Sequence, residues 1–193
     1  MLKVIAFDFV GVLVNEKDID LGEQEDKLER KFGSNLNDED YLTFAEQTLK
    51  INNKEAIDIT KNIINKLYKV RDADIFTKLK NKYNNIKIII ATNHLSYVEE
   101  FINKYFDTTY LDDVIISANI NKIKPNANFY NFILEKFNIK SKELLFLDDN
   151  VENIDGANKL NIRTIKVEKN MNLYEEVCKF ISEGSEDNET NNI

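Results

Sequence analysis

The sequence predicts an α/β fold, a doubly wound parallel sheet with a small α-helical insertion after its first strand. Three observations carry this. Val4-Ile5-Ala6-Phe7, Ile88-Ile89-Ile90-Ala91 and Leu144-Leu145-Phe146-Leu147 are uninterrupted apolar runs, the pattern of strands buried on both faces. From Asp74 onward, short apolar runs alternate with stretches of helical periodicity, which reads as repeated right-handed βαβ units. Between the first run and Asp74 lie about sixty residues of helical periodicity with no convincing buried strand.

Taken in order, the first run ends at Asp8, and Gly11-Val12-Leu13-Val14 leads into the insertion. Helices are expected there over residues 18–31, 38–50 and 54–69. Asn37 and Asn53 suit N-caps, while Tyr41, Leu42, Ala45 and Leu49 form one apolar stripe. Gly33-Ser34-Asn35 separates the first helix from the second. Beyond the insertion, helices over 74–83, 97–105, 126–137 and 151–160 alternate with strands over 86–91, 114–117, 144–147 and 164–167, and a last helix runs through Ile181. The expected organisation is a core of residues 1–14 and 74–182, a helical unit of residues 15–73, and a disordered acidic tail of residues 183–193 with no apolar face to dock. Phe101, Tyr105, Phe106, Phe129, Phe132 and Phe137 fall at spacings that suit packing faces.

Composition narrows the function. With 193 residues and 42% hydrophobic content, the chain can bury one full core. No stretch reaches the roughly 18 apolar residues of a membrane span, and Asp8 interrupts the N-terminal run before it becomes a signal-peptide core. The expectation is a cytoplasmic protein with no membrane partner. A net charge of -8 disfavours a nucleic-acid groove, but a local lysine and a cation suffice for a small anion. The single Cys178 reads as packing.

The three runs end at Asp8, Thr92 and the pair Asp148-Asp149. Parallel sheets bind ligands beyond the carboxyl ends of their strands, so these side chains converge on one crevice. Asp8 and Asp148 suit a shared hard cation such as magnesium. Lys124, held before the only proline, Pro125, offers a point positive charge. The Thr92 hydroxyl and free backbone N–H groups suit phosphate oxygens, and Gly11 permits the tight turn that brings those groups inward. A carboxylate so placed is a competent nucleophile toward phosphorus. His94, the only histidine, reads as a loop or capping residue rather than a general base.

The segments Ile5-Ala6-Phe7-Asp8-Phe9-Val10-Gly11-Val12-Leu13, Ile90-Ala91-Thr92-Asn93, Lys124-Pro125 and Phe146-Leu147-Asp148-Asp149-Asn150-Val151-Glu152-Asn153 resemble, in order, the four motifs of the haloacid dehalogenase (HAD) superfamily. With Asp155-Gly156-Ala157, the similarity is greatest to the sugar-phosphate phosphatase and epoxide-hydrolase N-domain branch. The resemblance implies a Rossmann-like core with a helical cap and an aspartyl-phosphate on Asp8. It implies phosphate held by Phe9, Thr92, Asn93 and Lys124, and Mg2+ held by Asp8, the Val10 carbonyl, Asp148 and Asp149. Asn153 would orient the lysine or a metal-bound water. The implied reaction is magnesium-dependent hydrolysis of a small phosphorylated metabolite by a monomer or homodimer.

Val10 departs from the pattern. Phosphatases of the superfamily usually carry a second aspartate there as general acid and base, a function worth about 10²–10⁴-fold in rate. The alternatives are a phosphonate- or haloacid-cleaving hydrolase, or a degenerate phosphate-binding member. The Asp148-Asp149 pair argues for a phosphorylated ligand, because the dehalogenases generally lack it.

Overall fold

A computed structural model describes the backbone of residues 1–189 and the side chains through Glu183. Strands β1 (Val4–Phe7) and β2 (Val14–Glu16) precede helices α1 (Glu23–Glu29), α2 (Asp38–Leu49) and α3 (Asn53–Leu67), and β3 (Tyr68–Val70) returns the chain to the core. There follow α4 (Ile75–Lys82), β4 (Lys87–Thr92), α5 (Val98–Tyr105), β5 (Asp113–Ile116), α6 (Ser117–Ile120), α7 (Ala127–Phe137), β6 (Leu144–Asp148), α8 (Val151–Asn158), β7 (Arg163–Lys166) and α9 (Leu173–Glu189).

The main sheet has the order β5-β4-β1-β6-β7, and every neighbouring pair is parallel. Its three central strands, β4, β1 and β6, are buried on both faces because alternate residues enter separate layers. Ile5, Phe7, Ile88, Ile90, Leu145 and Leu147 join one hydrophobic cluster with residues of α4, α5 and α9. Val4, Ala6, Ile89, Ala91, Leu144 and Phe146 join the other with residues of α7 and α8. The chain leaves β1 toward β4 and β5, then crosses back to β6 and β7. The switch point therefore lies between β1 and β6, where a sheet of this type opens its ligand crevice. Phe7 pairs with Leu147, and the Asp8 N–H donates to the Leu147 carbonyl at 2.8 Å. Asp8 and Asp148 thus emerge side by side at that crevice.

The insertion differs from expectation in three respects. Val14, Asn15 and Glu16 pair antiparallel with Val70, Lys69 and Tyr68 to form a two-stranded ribbon, where helical periodicity alone was expected. The first helix is confined to Glu23–Glu29. The third is capped by Asn52, whose side chain accepts from the Glu55 N–H at 3.0 Å, and Asn53 is already helical. The expected cap on α2 is present, with Asn37 accepting from the Asp40 N–H at 2.9 Å. At the other end, α9 extends to Glu189, although disorder was expected from Glu183. Adding residues to a helix already nucleated by the docked Leu173 and Val177 costs little. Residues 190–193 of that expected tail lie outside the described residues. Among the described residues, no helix is long and apolar enough to cross a membrane.

Candidate active site

Lys124 joins the two central strands. Its ammonium lies 2.8 Å from Asp8 Oδ1 and 2.7 Å from Asp148 Oδ2, and its side chain is wholly buried. The backbone that presents it is fixed by a reciprocal pair of bonds: Asn93 Nδ2 donates to the Lys124 carbonyl at 3.0 Å, and the Lys124 N–H donates to Asn93 Oδ1 at 2.9 Å. Asn93 thus holds the lysine loop against the end of β4. The Lys124–Pro125 peptide is cis. Behind it, Gly156 of α8 leaves room for the loop, since a Cβ there would stand 2.6 Å from the Pro125 carbonyl oxygen.

The last motif folds on itself. Asp148 Oδ1 accepts from the Asn150 N–H at 2.8 Å, and Asn150 in turn caps α8 by accepting from the Glu152 N–H at 2.8 Å. One turn into that helix, Asn153 Nδ2 donates to both Asp148 oxygens at 3.1 Å. Tyr130 Oη steadies the same residue through the Asn153 carbonyl at 2.7 Å. Asn153 therefore acts on Asp148, not directly on the lysine.

Asp8, Asp148 and Asp149 each bring one oxygen within 4.8 Å of the others. Oxygens so gathered suit a small divalent ion with metal–oxygen distances of about 2.0–2.1 Å. Charge favours a cation too, because buried Asp8 and Asp148 share one ammonium and the more exposed Asp149 adds a third carboxylate beside them. Burial pushes the Asp8 carboxyl up, Lys124 opposes that shift, and Asp148 adds to it; the result is raised. Burial and then Asp148 also raise Asp149. For Lys124, burial works against the charge, but Asp8 and Asp148 outweigh it and hold the ammonium above its usual range.

Gly11 is required here. It has φ +81°, and a Cβ would lie 2.2 Å from Asp149 Oδ2, so the glycine backbone is the cradle of that carboxylate. The Val10–Val14 bridge is made through the Phe9 carbonyl and the Gly11 N–H, and Val10's own carbonyl takes no part in it.

The geometry thus joins Asp8, Asn93, Lys124, Asp148, Asp149 and Asn153. Thr92 is buried at the end of β4, on the same rim. The Phe9 side chain points away: it is fully buried against Tyr68 and Phe101. His94 is also buried. Its Nδ1 faces the Leu95 carbonyl at 3.1 Å and its Nε2 faces Tyr68 Oη at 2.9 Å, so the ring is the neutral Nδ1–H tautomer accepting from the tyrosine.

Sequence reasoning missed Arg71. It donates to the Gly11 carbonyl at 3.0 Å and to the Glu168 and Met171 carbonyls at 3.0 and 2.9 Å, tying the turn after β1 to the loop after β7. Three backbone acceptors leave no sequence signal.

Comparison with known proteins gives the family and the fold. Residues 5–167 match the family model for haloacid dehalogenase-like hydrolases. A structure described as a predicted HAD-like family hydrolase from Porphyromonas gingivalis superposes with TM-score 0.73 at 18% identity, covering 94% of this chain and 98% of that one. A HAD family enzyme from Bacteroides thetaiotaomicron, crystallised with magnesium and inorganic phosphate, gives TM-score 0.71 at 15% identity, covering 91% and 98%. Bifunctional epoxide hydrolase 2 of Mus musculus is 33% identical over 70 residues, which are 36% of this chain and 13% of that protein. The chain spans less than a fifth of the length of the curated relatives it matches. With the match running from β1 through β7 and containing every member of the Asp8–Lys124–Asp148–Asp149 cluster, the chain belongs to the haloacid dehalogenase-like hydrolase family.

Proposed function

We propose that this chain is a magnesium-dependent phosphatase that transfers phosphate from a small metabolite to Asp8 and then to water. The observation that carries the reading is the Lys124 ammonium bonded at once to Asp8 and Asp148, beside a third carboxylate positioned by Gly11. In this reading residues 1–14 and 74–182 are the catalytic core, and residues 15–73 are a cap that selects the substrate.

Asp8 Oδ attacks phosphorus while the bond to the leaving oxygen breaks, and a water later displaces Asp8 to release inorganic phosphate. Lys124 neutralises the nucleophile before attack and the phosphoryl oxygens during it. Thr92 supplies a hydroxyl to the phosphate, Asn93 fixes Lys124, and Asn153 fixes Asp148. Magnesium, held by Asp8, Asp148, Asp149 and the Val10 carbonyl, would offset phosphate charge, as phosphoryl transfer requires. The magnesium and phosphate in the Bacteroides structure support this choice.

The test is phosphate release from a panel of metabolite phosphates with and without magnesium. Release that needs the metal and disappears in Asp8→Asn is the expected result. Halide release from a haloacid in the presence of chelator, without phosphate release, would replace this reading with the dehalogenase one.

A further inference from the structure

We infer that Glu16 is the proton donor that stands in for the missing carboxylate at position 10, and that the enzyme therefore accepts unactivated alkyl phosphate monoesters. This rests on the phosphatase reading above.

The placement follows from the ribbon. Val10 is bridged to Val14, and strand residues two apart share a face about 7 Å along the strand. Glu16 therefore lies on the Val14 face, one step outward from the side chain that pairs with Val10. Val14 is fully buried and Glu16 exposed, so this face runs from the core to solvent. Glu16 is directly opposite Tyr68 in the antiparallel register, and opposed residues project to the same side. The Tyr68 side chain reaches inward, packing its ring on Phe9 and placing its hydroxyl on His94, two residues beyond Thr92. Tyr68 thereby ties this face to Phe9, which directly follows Asp8, and to His94, which lies two residues beyond Thr92. Val10, packed against the hydrophobic cluster, has no proton to give.

Electrostatics agrees. After its own burial, the Tyr68 hydroxyl is held up by the charges of Glu16, Glu29 and Asp8, so it lies within range of both carboxylates in question. Partial burial and then Asp149 raise the Glu16 carboxyl, which favours the protonated form that a donor needs. The other charged groups around it are Asp18, Asp20 and Asp26 across the adjoining hollow, and Glu29, itself raised first by burial and then by Glu16. The Lys17 ammonium is turned onto the Lys66 carbonyl at 2.7 Å.

The step balances. As Asp8 forms its bond to phosphorus, the pair from the breaking P–O bond goes to the leaving oxygen, which takes the Glu16 proton and departs as alcohol. Glu16 then takes a proton from water as that water attacks phosphorus, and the electron pair of the Asp8–phosphorus bond returns to Asp8. Ester and water become alcohol and inorganic phosphate.

The experiment compares wild type and Glu16→Gln on ethyl phosphate and acetyl phosphate, with magnesium present. For ethyl phosphate, kcat/KM should fall about 10²–10⁴-fold, and its pH profile should lose the alkaline limb that reports a protonated acid. For acetyl phosphate, whose acetate leaves without a proton, kcat/KM should stay within about threefold, which also shows that the variant is folded. Val10→Asp introduced into Glu16→Gln should restore ethyl phosphate cleavage. Equal changes on both substrates, or none on ethyl phosphate, would overturn the role of Glu16 while leaving the phosphatase reading intact. No magnesium-dependent phosphate release by wild type from either compound would overturn both.

Discussion

Replacing Lys124 with methionine tests the geometry on which the function depends. The substitution keeps an unbranched apolar stem over the Phe146 ring, which the ammonium now faces at 5.3 Å, and removes a charge bonded to Asp8 and Asp148. Leaving a buried partner unpaired costs about 3–5 kcal/mol. Asp148 retains the Asn150 N–H and the Asn153 amide, which places the loss toward the lower end. For a chain of this size, 1 kcal/mol moves Tm by about 2–4 °C, so the fall should be about 6–20 °C in metal-free buffer near pH 8. Asp8 is already raised by burial, and losing the ammonium raises it further. The folded variant then binds a proton more readily than the unfolded chain, so its stability falls as pH rises through that range. The deficit relative to wild type should therefore shrink toward about pH 5. Magnesium at about 100 times its Kd should return about 2.7 kcal/mol. Thermal melts at both pH values, with and without magnesium, read all of this. A metal-free variant melting within about 2 °C of wild type near pH 8 would show that the Asp8–Lys124–Asp148 contact is not closed in solution.

Two further outcomes follow from single residues. Gly11→Ala places a Cβ where Asp149 now lies and strains a backbone at φ +81°; it should lower stability by about 1–3 kcal/mol and weaken magnesium binding at least about tenfold by calorimetry, since it displaces one ligand. Unchanged affinity would remove Asp149 from the metal set. Burial lowers His94 to about 4 from an ordinary 6.5. The unfolded chain therefore binds the proton first, and stability present above 6.5 should be lost as pH falls toward about 4, by about 3 kcal/mol. Urea titrations of wild type and His94→Gln should diverge by that amount across this window, and parallel curves would show that the imidazole is not buried neutral.

Much of this protein can be read from the chain itself, and the reason is local. A strand buried on both faces must be apolar throughout, so β1, β4 and β6 announce themselves, and the polar residues that end them mark the crevice. That Asp8, Thr92 and Asp148 each close an apolar run was enough to expect their convergence, because parallel strands place all their carboxyl ends on one rim, whereas Lys124 was marked only by its place before Pro125 between two motifs. Asn37 as a cap was legible for the same reason: its bond to the Asp40 N–H spans three residues.

What depended on the tertiary structure joins residues far apart. The β2–β3 ribbon pairs Glu16 with Tyr68 across the whole helical insertion, and three-residue strands carry too little alternation to be seen beforehand. Arg71 finds carbonyls at Gly11, Glu168 and Met171, and a backbone acceptor has no residue type to betray it. Phe9 sits in the correct motif, yet its ring turns into the core, while Gly11 is needed because Asp149 lies against it. Sequence determined which chemical groups reach the rim, since that follows from burial and chain direction. Only packing decided which of them touch, because contact distance depends on the positions of segments that sequence separates.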